Sequence, residues 1–167
     1  MKSTRLLMLV SLSVGTVWAA QPAQKIHWAS YKSNLLHLQF SVPQEWKPTK
    51  TPKALAFRYE DADGSSAGVG ILKSEMSGSS IDDAANKEIA QAGNPGDWVR
   101  TDARVDGNHA IKIVGPDVKN SMRKIVHYYI DTPQGIYLVQ CQATADHWDV
   151  YSPIFTAILT KLKFLPQ

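Results

Sequence analysis

Cys141 and His127 are the pair with the most reactive chemistry in the sequence. A histidine beside a thiol can take its proton and leave a thiolate that serves as nucleophile or redox centre. A turn at Thr132–Gly135 that pairs Ile130 with Ile136 would set His127 opposite Val139, a diagonal same-face neighbour of Cys141. Against that, a lone cysteine near Tyr137 and Val139 behaves as a small buried apolar filler. An unpaired thiol in an oxidising compartment is also better hidden than exposed. The filler reading is the expectation. Gly64-Ser65-Ser66-Ala67-Gly68 has the letters of G-x-S-x-G, but that motif needs a strand, a sharp turn and a helix. Here the stretch joins two expected strands.

The remaining candidates fail on spacing. Among His27, His37, His109, His127 and His147 no two are four apart, and no H-E-x-x-H occurs, so the local pattern of common zinc sites is absent. A metal would have to gather ligands from distant strands. Asp61-x-Asp63-Gly64 opens like a calcium loop. With Gly64 in the turn position, Tyr59 and Gly70 would have to be the first and last ligands, and neither can serve. Gly68-Val69-Gly70 lacks the third glycine of a phosphate loop. Asp82, Asp83 and Glu88 lie on or near an expected helix, where capping and the helix dipole account for carboxylates. No catalytic residue, metal or cofactor is expected, and the chain reads as a non-enzyme. One compact basic surface remains, Lys47, Lys50 and Lys53 beside Trp46, as a weak partner-binding candidate. It suits an acidic partner or anionic headgroups. Each lysine near a charged membrane contributes about 1 kcal/mol, so three give a weak membrane-surface contact. A solvated loop would carry the same charges.

These residues must be positioned by strands and two helices. Leu36, Leu38, Phe40 and Val42 alternate with polar residues, which predicts a strand with one buried face that Pro43 ends. Trp46–Lys53, with Pro48 and Pro52, reads as a loop. Leu55, Phe57 and Tyr59 alternate again, Asp61–Ser65 turns the chain, and Ala67, Val69 and Ile71 return. Gly68 and Gly70 take the other face, where something can pack closely. Ser80 with Asp83 three residues on predicts a capped helix, which Gly93 and Asn94-Pro95 stop. Strands follow at Trp98–Arg104, His109–Val114, Met122–Ile130 and Ile136–Ala143, with turns at Asp106-Gly107, Gly115-Pro116 and Thr132–Gly135. The last element is a helix of about 17 residues. Trp148, Tyr151, Phe155, Ile158, Leu159 and Leu162 form one stripe on it, Thr144 is its expected cap, and Pro153 sits near its start. Consecutive strands with short turns predict an antiparallel sheet covered by two helices, an α+β fold.

Met1–Ala20 reads as a secretory signal: Lys2 and Arg5, an apolar Leu6–Val14, and a cleavage site near Ala19 or Ala20. The apolar run is far short of the ~20 residues of a bilayer span. Residues 21–25 form a polar leader, and 26–167 a single domain, a reasonable length for one core. Losing Lys2 and Arg5 takes Lys+Arg from 18 to 16 against 15 Asp+Glu, a net charge of +1. Such a balance argues against nucleic-acid binding, which rests on many phosphate contacts. Hydrophobic residues at 44% and charged residues at 20% exclude a disordered chain, and one cysteine excludes a disulfide framework. The expectation is a periplasmic or secreted protein, monomeric.

The chain resembles the PsbP-like family, which includes DcrB-like envelope proteins. Phe40-Ser41-Val42-Pro43-Gln44-Glu45-Trp46 is similar to the family's first strand running into a proline and tryptophan. Asp106-Gly107-Asn108-His109-Ala110 is similar to its mid-domain turn. Tyr151-Ser152-Pro153-Ile154-Phe155 and Leu162-Lys163-Phe164 are similar to its last helix and final short strand. The resemblance implies an α/β/α sandwich around an antiparallel sheet and no shared reaction. Its members include photosystem subunits, envelope proteins and chaperones for secreted effectors. The resulting expectation is a non-catalytic accessory or protein-binding domain of the cell envelope with an envelope protein as partner. The alternative is a module for a small ligand or lipid, with an apolar pocket where Gly68 and Gly70 lie under the aromatic helix. A Cys141/His127 enzyme comes third.

Overall fold

A computed structural model describes residues 25–50, 54–74, 80–92, 94–117 and 119–166, with the backbone alone for Lys50. The signal sequence, the leader before Lys25, Lys53 and the Gly93 helix stop lie outside the described residues. The elements in chain order are β1 (Trp28–Ser33), β2 (Leu38–Pro43), β3 (Lys47–Lys50), β4 (Ala54–Glu60), β5 (Ser66–Lys73), α1 (Ile81–Gln91), β6 (Val99–Val105), β7 (Asn108–Asp117), β8 (Asn120–Thr132), β9 (Gly135–Thr144), α2 (Trp148–Thr160) and β10 (Lys163–Phe164). Seven strands form one antiparallel sheet in the order β3-β4-β5-β9-β8-β7-β6, and β1-β2-β10 form a smaller one. The α+β architecture is as expected, with two helices on antiparallel sheets. The division into two sheets is not something the alternation predicts.

Side-chain alternation sends the apolar residues of each strand to two separate cores. On one face of the large sheet, Phe57, Val69, Ile71, Val126, Tyr128, Ile130, Val139 and Cys141 meet β2 and the α2 stripe of Tyr151, Phe155, Ile158 and Leu159. Phe155 is 1% exposed, with the Trp46 and Trp148 rings 6.1 and 5.8 Å away. On the other face, Ile111, Ile113, Ile125 and Tyr129 pack beneath Ile81, Ala84 and Ala85 of α1. The helix begins as its sequence dictates. Ser80 Oγ accepts from the Asp83 N–H at 3.0 Å, and the Ser80 N–H donates to Asp83 Oδ2 at 3.3 Å, so two otherwise orphaned donors are satisfied.

β1, Trp28–Ser33, is a strand the sequence reading did not assign, pairing with β2 from Trp28↔Pro43 to Ser33↔Leu38. Four local expectations are corrected. Trp46–Lys53 is not a loop throughout: Lys47–Lys50 is the edge strand β3. There Pro48 and the lysines suit the end of a sheet, where an unpaired rim must not recruit another strand. Gly115-Pro116 is no turn: both lie inside β7, opposite Ile125 and Lys124. The turn comes after Asp117, whose Oδ1 takes the Lys119 N–H at 2.9 Å. The last helix has 13 residues, preceded by a 3₁₀ turn at Ala145–His147. Thr144 makes no side-chain cap there.

Candidate functional site

The β8–β9 hairpin decides whether Cys141 and His127 can meet. Its register pairs Ile130 with Tyr137, not with Ile136, so His127 faces Gln140 and Cys141 faces Val126. A slip of one residue sends a side chain to the opposite face. Cys141 therefore points to the α2 core and His127 to the α1 side, and the expected same-face pair does not form. Cys141 is 0% exposed, and burial pushes its thiol well above the ordinary range. We expect Cys141 to resist a charged aromatic disulfide reagent in the native chain and to react fully in urea. Labelling at the same rate in both states would contradict this.

The other sequence candidates fall into turns and ion pairs. Ser65 Oγ lies 3.2 Å from Tyr151 Oη, and Ser66 Oγ accepts from Arg123 Nη2 at 2.9 Å. The stretch enters β5 and not a helix. Asp61 and Asp63 accept backbone N–H groups of Ala62 and Ser65 within the β4–β5 turn. Trp46 is 3% exposed and belongs to the core under α2, so its ring is not part of the surface expected for it. Lys47 is exposed on β3. Lys50 pairs with Leu55 at the other end of that strand.

What sequence reading missed is a trough on the α1 side of the large sheet. α1 packs on β7 and β8, and beyond it the sheet carries two cross-strand rows. One runs Thr49, Ala56, Gly70, Gln140, His127; the next runs Lys47, Arg58, Gly68, Gln142, Ile125. Alanine and two glycines make the middle of this surface shallow, and Gln140, Gln142, His127 and Glu88 rise along its α1 side. The half-open recess has a volume of about 560 Å³, within the usual range for ligand pockets. Gly68 and Gly70 thus lie on the face away from α2, not under the aromatic helix as expected. A β-carbon on Gly70 would meet nothing within 4 Å, whereas one on Gly68 would come to 3.2 Å from the Phe57 carbonyl oxygen.

At the inner end stands a polar cluster. His127 is 8% exposed, and its Nδ1 lies 2.7 Å from Glu88 Oε1. The contact is an ion pair when the ring is protonated, and the Nδ1 atom is not aligned for a hydrogen bond. The Tyr129 hydroxyl donates to Glu88 Oε2. Burial alone would raise the Glu88 carboxyl, but His127 and Tyr129 outweigh it and hold it below the ordinary value. The same burial and the carboxylate beside it push the Tyr129 hydroxyl upward. Nδ1 is turned to the carboxylate, and Nε2 has no hydrogen-bond partner among the described residues. An imidazole fixed in this way offers one nitrogen to whatever enters the trough.

A lowered carboxyl stabilises the fold above its unfolded-state value and loses that contribution as pH falls through the folded value. The Glu88 contribution is therefore complete above the ordinary value of 4.5 and is lost as pH falls below it. We expect the urea midpoint to fall between about pH 5 and pH 3, with a shallower slope in Glu88→Gln. Equal slopes would show that Glu88 gains nothing from its partners.

No family model matches the chain, and no curated protein does. Solved structures do. The cyanobacterial PsbP (CyanoP) of Synechocystis aligns over 90% of this chain and 99% of its own, at 14% identity and a TM-score of 0.51. The fold is PsbP-like. LpqN of Mycobacterium tuberculosis, involved in cell envelope biogenesis, aligns over 84% of this chain and 92% of its own, at 15% identity and a TM-score of 0.53. The Saccharomyces cerevisiae Ran-binding protein Mog1p covers 84% and 97%, at 9% identity and 0.52. At such identities the likeness extends to the fold and not to the task. A PsbP-like fold is what the sequence resemblance implied, including the closing strand β10, which pairs with β2 through Lys163↔Gln39 and Phe164↔Leu38.

Proposed function

We propose that this PsbP-like domain is an exported accessory protein of the cell envelope that works by holding a protein partner in the trough, without catalysing a reaction. The observation that carries the reading is the half-covered sheet. A 560 Å³ recess floored by glycine and alanine is lined with hydrogen-bonding side chains, Gln140 and Gln142 among them, that have no partner among the described residues. Water-facing sheet surfaces are ordinarily covered with long polar side chains. A floor reduced to glycine costs strand stability and lets another chain approach closely. Lys47, from the basic surface read in the sequence, stands at the open end of one row. Export after cleavage near Ala19 or Ala20 is supported by the leader pattern and by a fold neighbour concerned with the cell envelope. A protein partner is in keeping with a Ran-binding neighbour. A monomer is supported by the edge strands, where Lys47 and Pro48 on β3 and Arg100, Asp102 and Arg104 on β6 disfavour sheet-to-sheet pairing.

Gly70→Leu tests the reading. The added side chain occupies open space, and a strand position tolerates leucine better than glycine, so the melting temperature should hold or rise. Used as bait with envelope extract, the wild-type chain should retain a defined protein that the variant loses. A partner retained equally by both would place the contact elsewhere and refute the assignment to the trough.

A further inference from the structure

The shape of the trough and its unpaired charges limit what can lie in it. From β3 to β8 the rows cross four strand spacings of about 4.8 Å, giving roughly 19 Å of length. Adjacent rows are two residues apart along a strand, about 7 Å. A surface that long and that narrow fits an extended chain of about five or six residues better than a compact small molecule. Along it, Gln140 and Gln142 present primary amides, and His127 presents Nε2, none with a hydrogen-bond partner among the described residues. A side-chain amide offers a donor and an acceptor side by side, which is what a peptide group needs.

The charges are unequal in availability. Both acids of the lining are already engaged, Glu88 by His127 and Tyr129, and Asp117 by the Lys119 N–H. The cations are less so. Arg58 has only an exposed 3.5 Å contact with Glu60, and Lys47 and Lys119 have no acidic partner among the described residues. Opposite charge at such a surface favours encounter with an anionic partner and disfavours a cationic one.

We infer that the trough takes an extended acidic peptide segment of its partner, laid across the strands over Gly68 and Gly70. Its backbone is held by Gln140, Gln142 and His127, and its carboxylates by Lys47, Arg58 and Lys119. This rests on the binding reading above and names what that binding recognises. Specificity comes from the small floor, which admits a main chain, and from Lys47 and Lys119, which have no acidic partner among the described residues, with Arg58 held only by its exposed contact with Glu60.

The test is fluorescence anisotropy with the full-length chain and a labelled, end-capped hexapeptide of alternating aspartate or glutamate and glycine. A lysine-for-acid hexapeptide and free glutamate are the comparators. The acidic peptide should bind saturably, and more weakly as salt rises. Arg58→Glu and Gly70→Leu should each weaken it by at least about tenfold without lowering the melting temperature. Gln140→Glu, a change at a half-exposed position on the α1 side of the trough, should weaken it in the same direction should either of those variants fold poorly. The inference is overturned if the lysine peptide binds as well, if Gly70→Leu binds like the wild type, or if free glutamate competes at equal concentration. Loss of a captured partner in Gly70→Leu without acidic-peptide binding would overturn the ligand class and leave the binding reading standing. Peptide binding with no partner retained would do the reverse.

Discussion

Phe155→Ala lowers the stability of the chain by about 3–5 kcal/mol, the largest effect expected of a single truncation here. Phe155 is 1% exposed at the centre of the α2 stripe. Its ring packs against those of Trp46, at 75° interplanar angle, and Trp148, at 52°. Removing it forfeits the transfer free energy of the ring and leaves a cavity beside two bulky indoles that only partly relaxes to fill. Phe155→Leu keeps most of the volume and should cost well under half as much. Equilibrium urea unfolding monitored by tryptophan fluorescence measures both. A loss below about 1 kcal/mol for alanine would mean that α2 does not anchor the sheet as described.

Gly115→Val is expected to cost about 3 kcal/mol, the upper end of overpacking penalties. A β-carbon at position 115 would sit 2.4 Å from Cδ2 of Trp98 and 2.7 Å from Cε2. The indole lies over the glycine, on the face that α1 covers. The valine must push it out or open β7 from β6. The backbone at Gly115 is not in the left-handed region, so the penalty is one of space and not of conformation. A double-mutant cycle separates the two. Trp98→Ala removes the obstructing ring, so the pair of changes should cost less than the sum of the single ones. Strict additivity would show that the glycine is required for another reason.

The same contact explains why this part of the chain misleads a sequence reader. Gly115-Pro116 has the composition of a turn, yet β7 runs through it, and Trp98, the residue just before β6, lays its indole on the space that the glycine leaves. Nothing local to Gly115 announces a partner so distant along the chain. Alternation at Leu38–Val42 and Leu55–Tyr59, the Ser80–Asp83 cap and the Trp148–Leu162 stripe are legible because each is a local pattern with one buried face. Edge strand β3 is not. Lysines and prolines that protect a sheet rim are the same residues that mark a loop. The trough is hidden for a different reason. Its rows join residues from five strands, and their register depends on a hairpin pairing that the turn composition misplaces by one residue. One signal is present. Gln140 and Gln142 interrupt the most apolar strand at alternate positions, which marks one face of β9 as solvent-facing beside Gly68 and Gly70. Helix-start electrostatics do not account for Glu88, which is the eighth of the eleven residues of α1 and engages His127 and Tyr129.

The proposed function depends on which face of the large sheet would meet a partner. Site-specific photocrosslinking in cells that make the chain tests this most directly. A photoreactive residue is placed at Gln142, in the trough, or at Val150, which is 61% exposed on α2 across the sheet. A discrete adduct is expected through position 142, disappearing when Gly70→Leu is added, and none through position 150. An adduct through position 150 alone, or one through position 142 that survives Gly70→Leu, would contradict binding in the trough.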